Sequence, residues 1–267
     1  MLADFHLHSA YSGDSDACPE EMVSSGIRKG LSELCFTDHL DADYPYTDVC
    51  FDLDTPAYLA EIRRLQTACR KQIRIDFGVE LGLQPHLGSF YRSFIKEYPF
   101  DFVIGSTHLV DRMDPYYPEF WEVHDQTSGI RRFLDVTLEN IKAFDGFDVY
   151  GHLDYIIRYV PERTRRFPLE NFADQTDAIL KLLIEKGKGL EINTGGFRAG
   201  LDVPNPCPEI LRRYRELGGE IVTMGSDAHA PEHTGLSFEL AREILLSCGF
   251  RYFTVFAERK AEFRRLD

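Results

Sequence analysis

Short apolar runs alternate with longer amphipathic stretches along the whole chain, and most of the runs lead directly into a residue type that binds metals. The strand candidates are residues 2–8, 32–37, 74–80, 101–106, 147–151, 189–193, 220–225 and 252–256. Between them lie helical patterns over 19–29, 55–71, 88–97, 128–144, 169–187, 206–217 and 236–248. Pro19-Glu20-Glu21 puts proline and acids in a first turn, Thr55-Pro56 pairs an N-cap with proline at N1, and Gly187 and Gly218-Gly219 stand where C-caps belong. Strict strand–helix alternation implies parallel strands joined by right-handed crossovers, hence an open doubly wound sheet or a closed barrel.

The polar residues decide between the two. Six of the nine His, in His6-Leu7-His8, Asp38-His39, Thr107-His108, Gly151-His152 and Asp227-Ala228-His229, each follow an apolar run, and Glu80 and Asp227 occupy equivalent positions. An open sheet concentrates its site at one switch point, whereas a barrel gathers residues from nearly every strand end around one axis. Six or seven strands contribute here, so the expectation is an α/β barrel. In Asp4-Phe5-His6-Leu7-His8, strand alternation turns residues i and i+2 to one face, so two imidazoles reach one ion. A lone His-x-His pair carries little weight. Nine candidate ligands, His6, His8, Asp14, His39, Glu80, His108, His152, Asp227 and His229, are too many for one ion and point to a multinuclear metal hydrolase.

A chain of 267 residues with 43% apolar content can bury one sizeable core, and a single domain over residues 1–267 is expected. The net charge of −14 leaves no basic stripe to track a phosphate backbone, which argues against nucleic acid as the main partner. Cys18, Cys35, Cys50, Cys69, Cys207 and Cys248 form no CxxC pair and read as reduced thiols. The first residues enter a strand without a charged n-region and apolar h-region, and no stretch approaches 18 apolar residues, so a cytoplasmic protein with no membrane partner is expected. Residues 40–54 and 109–126 are long, acidic and aromatic, and both leave the face where the ligands collect; they read as a rim that shapes substrate recognition.

Taken in order, Asp4-Phe5-His6-Leu7-His8-Ser9 with Ser12-Gly13-Asp14-Ser15, Phe36-Thr37-Asp38-His39, Gly78-Val79-Glu80, Gly105-Ser106-Thr107-His108, Gly151-His152-Leu153-Asp154 and Gly225-Ser226-Asp227-Ala228-His229 resemble the motifs of the polymerase and histidinol phosphatase (PHP) family. Asp14, and the stretch Glu191-Ile192-Asn193-Thr194-Gly195-Gly196-Phe197-Arg198, resemble the histidinol-phosphate phosphatases within it. The resemblance implies a distorted (β/α)7 barrel holding three divalent ions, with one strand-like run, 252–256, outside the ring. It also implies a partition of ligands: His6, His8, Glu80 and Asp227 for one ion, Glu80 as a bridge with His108 and His152 for a second, and Asp14, His39 and His229 for a third. Mixed imidazole and carboxylate sets suit Zn, Fe or Mn.

The activity implied is hydrolysis of a small phosphate monoester, L-histidinol phosphate in histidine biosynthesis. Clustered cations meet the demand of that slow reaction by acidifying water and neutralising phosphoryl oxygens. Asp227 or His229 is expected to orient the nucleophile or move a proton. Arg158 and Arg198 follow strand ends, and their planar forks match phosphate oxygens, so both are expected at the mouth. Arg163, Arg165 and Arg166 read as a solvated basic face, and His86 and His233 as loop residues. His124, with Asp111, Asp114 and Glu122 nearby, is weighed as a contact for the substrate's amine or imidazole. A phosphatase for another small ester, a PHP-type nuclease and a non-catalytic metal-stabilised module are the rival readings.

Overall fold

In the computed structural model, residues 2–161 and 166–267 are described. The strands in chain order are β1 (Ala3–Leu7), β2 (Glu33–Phe36), the two-residue β3 (His39–Leu40), β4 (Arg74–Gly82), β5 (Phe102–Ser106), β6 (Val149–Tyr150), β7 (Gly189–Asn193), β8 (Val222–Gly225), β9 (Tyr252–Ala257) and β10 (Lys260–Arg265). The helices are α1 (Pro19–Arg28), α2 (Thr55–Cys69), α3 (Gly88–Glu97), α4 (Pro118–Val123), α5 (Gln126–Ala143), α6 (Ala173–Glu185), α7 (Gly195–Arg198), α8 (Pro208–Glu216) and α9 (Phe238–Ser247).

Seven parallel strands run in the order β1-β2-β4-β5-β6-β7-β8, and β3 adds to β4 through His39 opposite Glu80. Every residue of β1, β2, β5, β7 and β8 is buried, as expected for a parallel sheet covered on both faces. The helices cover it with one apolar face each; α2, for example, buries Thr55, Tyr58, Ile62 and Leu65 at helical spacing. The seam between β1 and β8 is bridged just past the end of β8. His8 N–H donates to the Ala228 carbonyl at 2.8 Å and Asp227 N–H to the His6 carbonyl at 2.7 Å. The ring is therefore nearly closed, and the closing bonds bring residues 6–8 against residues 227–229.

The eighth strand-like run lies outside the ring, where β9 pairs antiparallel with β10. This hairpin covers the N-terminal end of the barrel: Thr254 Oγ1 accepts from Val222 N–H at 3.3 Å, Arg264 pairs with Glu33, and Arg259 Nε reaches Asp148 at 2.5 Å. That end is sealed, so the opposite one is left for a site. β10 carries no apolar run (Lys-Ala-Glu-Phe-Arg-Arg), which hides it from periodicity. At α2 the cap differs from expectation by one residue: Asp54, not Thr55, is the N-cap and accepts from Ala57 N–H at 3.1 Å. Gly187 and Gly218 take φ of +68° and +99° at the ends of α6 and α8, as C-cap glycines do. Of the expected basic run, Arg163 and Arg165 lie outside the described residues, and Arg166 is exposed near Glu209.

Candidate functional site

All nine expected ligands converge at the C-terminal end of the barrel. Glu80, from β4, is at the centre and fully buried. Its Oε2 lies 3.0 Å from His6 Nε2, 3.6 Å from His8 Nε2 and 3.3 Å from His39 Nδ1. Its Oε1 faces the other way, 3.0 Å from His152 Nε2 and 3.3 Å from His108 Nε2, and accepts from Ser106 Oγ at 2.6 Å. One carboxylate thus presents each oxygen to a different group of imidazoles, which is the geometry of a bridge.

Asp227 closes the first group, with Oδ1 3.4 Å from His8 Nε2 and 3.7 Å from His6 Nε2. Its backbone sits at φ +54°, a costly conformation for a non-glycine residue of the kind found at functional sites. The third group is outermost: Asp14 Oδ2 lies 3.0 Å from His229 Nε2 and 3.7 Å from His39 Nε2, with the Asp14 and His229 side chains about a third exposed. His229 Nδ1 lies 2.9 Å from the Asp227 carbonyl, which can only accept, while Nε2 faces Asp14; against burial, Asp14 and Asp227 raise this imidazole.

The donor set fits cations. His6 Nε2 and His8 Nε2 point at each other across 3.0 Å, with Glu80 Oε2 beside them, an arrangement that a shared cation would satisfy. His39 Nδ1, His152 Nδ1 and Asp41 Oδ1 are buried without a hydrogen-bond partner among the described residues. Ligand atoms 2.0–2.2 Å from a tetrahedral ion stand roughly 3.4 Å apart, which matches the spacings above. The charge states agree. Burial would raise the Glu80 carboxyl, yet His6, His39 and His108 hold it well below the usual carboxylate range. Burial, with His229 and His39 alongside, pushes His8 down to about 3, a neutral ligand. His39 goes the other way: against burial, Glu80, Asp14 and Asp41 raise it to about 9, so the acids draw positive charge into the cluster. Four overlapping triads of donors lie within 4.8 Å of one another: His6-His8-Glu80, Glu80-His108-His152, His8-His39-His229 and His39-Asp41-His108. The first two agree with the expected partition; the third places His8 where Asp14 was expected, with Asp14 beside it.

Above the ligands is a cavity of about 120 Å³ lined by Tyr44, Phe51, Asp114, Tyr155, Arg158 and Tyr159 together with the outer ligands. Residues of both long loops therefore form its wall. Tyr44 O–H donates to Asp114 at 2.9 Å, and Tyr46 stacks on Tyr117 at 4.2 Å, tying one loop to the other. Burial raises the Asp114 carboxyl. Arg158 is held on three sides: Nε donates to Asn205 at 2.9 Å, one terminal nitrogen to Asp227 at 3.0 Å and the other to Asn193 at 3.0 Å. Arg198 does not line the cavity. Its guanidinium donates to the Ser226 carbonyl at 2.6 Å and to the Asp227 carbonyl, bracing the ligand loop from behind. His124 is also elsewhere, packed on Phe120 at 4.7 Å; of the acids weighed with it, only Asp114 reaches the cavity. His86 pairs with Asp43 at the surface and His233 ends a short 3-10 turn, both as loop residues.

Sequence reasoning gave no role to the buried acids behind the ligands. Asp4 accepts from Ser226 N–H at 2.9 Å and Gly235 N–H at 2.8 Å, and Asp38 accepts from Ser9 N–H at 2.6 Å and Ser12 Oγ at 3.0 Å. Burial raises both, each to about 6. Asp4, Asp41 and Glu191 are two residues from His6, His39 and Asn193, but the spacing alone does not say that they turn inward, because β1 is irregular between Asp4 and Leu7 and Asp41 lies just past the end of β3. Gly225 marks how tightly this layer packs, because a Cβ there would lie 2.1 Å from Glu191 Oε1 and 2.5 Å from His6 Cβ. Gly225→Ala is therefore expected to destabilise the fold by about 1–3 kcal/mol, read as a lower melting temperature. An unchanged melt would show that β8 yields freely.

A nearly closed parallel barrel with a convergent polyhistidine and carboxylate cluster defines a metallohydrolase-type scaffold. The PHP domain matches residues 4–195, and the chain belongs to that family. It is 34% identical to the histidinol-phosphatase of Lactococcus lactis over 97% of this chain and 96% of that one, and 30% identical to a Clostridium acetobutylicum protein named probable histidinol-phosphatase, over 97% and 98%. The crystal structure of the histidinol phosphate phosphatase from Lactococcus lactis, complexed with zinc, L-histidinol and phosphate, superposes with a TM-score of 0.89 at 31% identity, covering 98% of each chain. A Listeria monocytogenes structure at 19% identity superposes with a TM-score of 0.79 over 89% of this chain and 99% of its own, a likeness of fold.

Proposed function

We propose that this protein is a metal-dependent histidinol-phosphatase that hydrolyses L-histidinol phosphate to L-histidinol and phosphate in histidine biosynthesis. The carrying observation is the Glu80-centred ligand cluster, present in a chain that aligns over nearly its full length with a zinc, histidinol and phosphate complex. His6, His8, Asp14, His39, Glu80, His108, His152, Asp227 and His229 would hold three divalent ions, Zn, Fe or Mn. When bound, such ions lower the pKa of water towards ~7 and neutralise phosphoryl oxygens.

The chain's own groups supply the rest. Arg158, fixed by Asn205, Asp227 and Asn193, offers a pre-set fork to a phosphate at no further ordering cost. Arg198 is the second cation of this edge and holds the Asp227 backbone in its strained position. Asp227, kept ionised by His6, His8 and Arg158 against burial, can only accept, so its part is to orient a water molecule. Phe51, Tyr155 and Tyr159 keep bulk water out of a small cavity, while Asp114 and Tyr44 offer the amine and imidazole of the substrate an acidic, aromatic wall.

The six free cysteines accord with a cytoplasmic setting, and among the described residues no helix is long and apolar enough to cross a membrane. The test is a substrate panel with metal-loaded protein. Turnover of L-histidinol phosphate is expected to exceed that of generic phosphate esters by at least ~10²-fold in kcat/KM, the discrimination that a site with dedicated polar contacts can provide. Equal rates would defeat the assignment, and cleavage of labelled single-stranded DNA would favour a nuclease.

A further inference from the structure

Two buried carboxylates outside the three expected ligand sets each touch members of two different sets. Glu191 Oε1 lies 2.6 Å from His6 Nδ1, while Oε2 accepts from the His152 backbone N–H at 3.0 Å and from the Asn193 amide at 3.2 Å. His6 belongs to the first set and His152 to the second. Asp41 repeats the pattern between the second and third. Its Oδ2 lies 2.6 Å from His108 Nδ1, and its Oδ1 lies 3.6 Å from His39 Nδ1, both of the latter atoms being buried and unpartnered among the described residues.

For His6 and His108 the carboxylate meets Nδ1 at hydrogen-bond distance, which places the imidazole proton there and leaves Nε2 to face the cluster, whereas His39 Nδ1 stands between Asp41 Oδ1 at 3.6 Å and Glu80 Oε2 at 3.3 Å. His6 Nε2 and His108 Nε2 do point at Glu80, and His39 Nε2 points towards Asp14. Each acid is packed closely against a glycine. Glu191 is wedged between His6 and Gly225, whose hydrogen it already contacts closely, and Asp41 packs directly on Gly82. Each carboxylate therefore stands in contact with a histidine of one set and a residue of the next.

We propose that Glu191 and Asp41 are positioning residues that couple the three metal positions, so that the ions are taken up cooperatively. This rests on the three-ion reading of the site. The experiment strips the full chain with chelator, equilibrates it against graded free Zn²⁺ and counts metal per chain by elemental analysis. Wild type is expected to fill in one steep step with a Hill coefficient well above unity. E191Q is expected to retain the Asp14–His39–His229 ion while the other two require about 10–100-fold more free Zn²⁺, and adding D14N should remove the ion that remains. D41N is expected to show the mirror pattern, retaining the ion of His6, His8 and Asp227; it tests the same coupling should E191Q not fold. A loosened structure would weaken all three ions alike. Uniform weakening, isotherms unchanged from wild type, or independent filling in wild type each overturn the coupling, whereas a wild type that binds no zinc overturns the three-ion site itself.

Discussion

Glu80→Gln is expected to lower kcat for L-histidinol phosphate by about 10³-fold or more, equivalent to about 4 kcal/mol of barrier, and to reduce the metal content of the purified protein. The near-isosteric amide keeps the volume of a fully buried side chain but replaces one of two acceptor oxygens by a donor. Whichever way the amide turns, one face meets its imidazoles with N–H groups: His6 and His8 on one side, or His108 and His152 on the other. An acid that neutralises cations on both sides is then lost from the centre of the cluster. Metal analysis and steady-state kinetics on the same preparation check it. A variant with full metal content and a rate within tenfold of wild type would remove Glu80 from the bridging position.

Arg158→Ala is expected to lower kcat/KM by about 10²–10³-fold, the range seen when a fixed donor to developing negative charge is removed, with metal content unchanged. Inhibition by inorganic phosphate should weaken in parallel. Arg158→Lys is expected to recover only a small part, because a point charge cannot satisfy Asn205, Asn193 and Asp227 together and still present a fork. Full activity in the lysine variant would mean that charge alone, not the planar geometry, is what the phosphate reads.

Much of the barrel was legible because its signals are local. A parallel strand buried on both faces must be a short apolar run, and a covering helix must show one apolar face, so β1, β2, β4, β5, β7 and β8 and the helices between them fall within a few residues of expectation. β3, with two residues, and β10, mostly charged, carry no such periodicity. Nor does α4, which sits inside a loop that reads as irregular. The ligands were legible because strand ends in a barrel share one rim, whatever their distance along the chain.

Direction was less accessible than position. Arg198 follows β7 as Arg158 follows β6, yet one guanidinium is spent on the carbonyls of Ser226 and Asp227 while the other lines the cavity. That difference depends on the β8 loop, far along the chain. Likewise His124 belongs to the correct loop but turns away from the cavity. The sequence by itself determined the alternation of elements, the nine candidate ligands and the rim they occupy, since each follows from the nearest few residues. Only the tertiary structure decided which oxygen of Glu80 faces which imidazole, which arginine lines the cavity, and which buried acids stand behind the histidines. Those contacts join atoms up to 231 residues apart, and no local pattern encodes where a side chain's polar end meets a partner brought in by closing the ring.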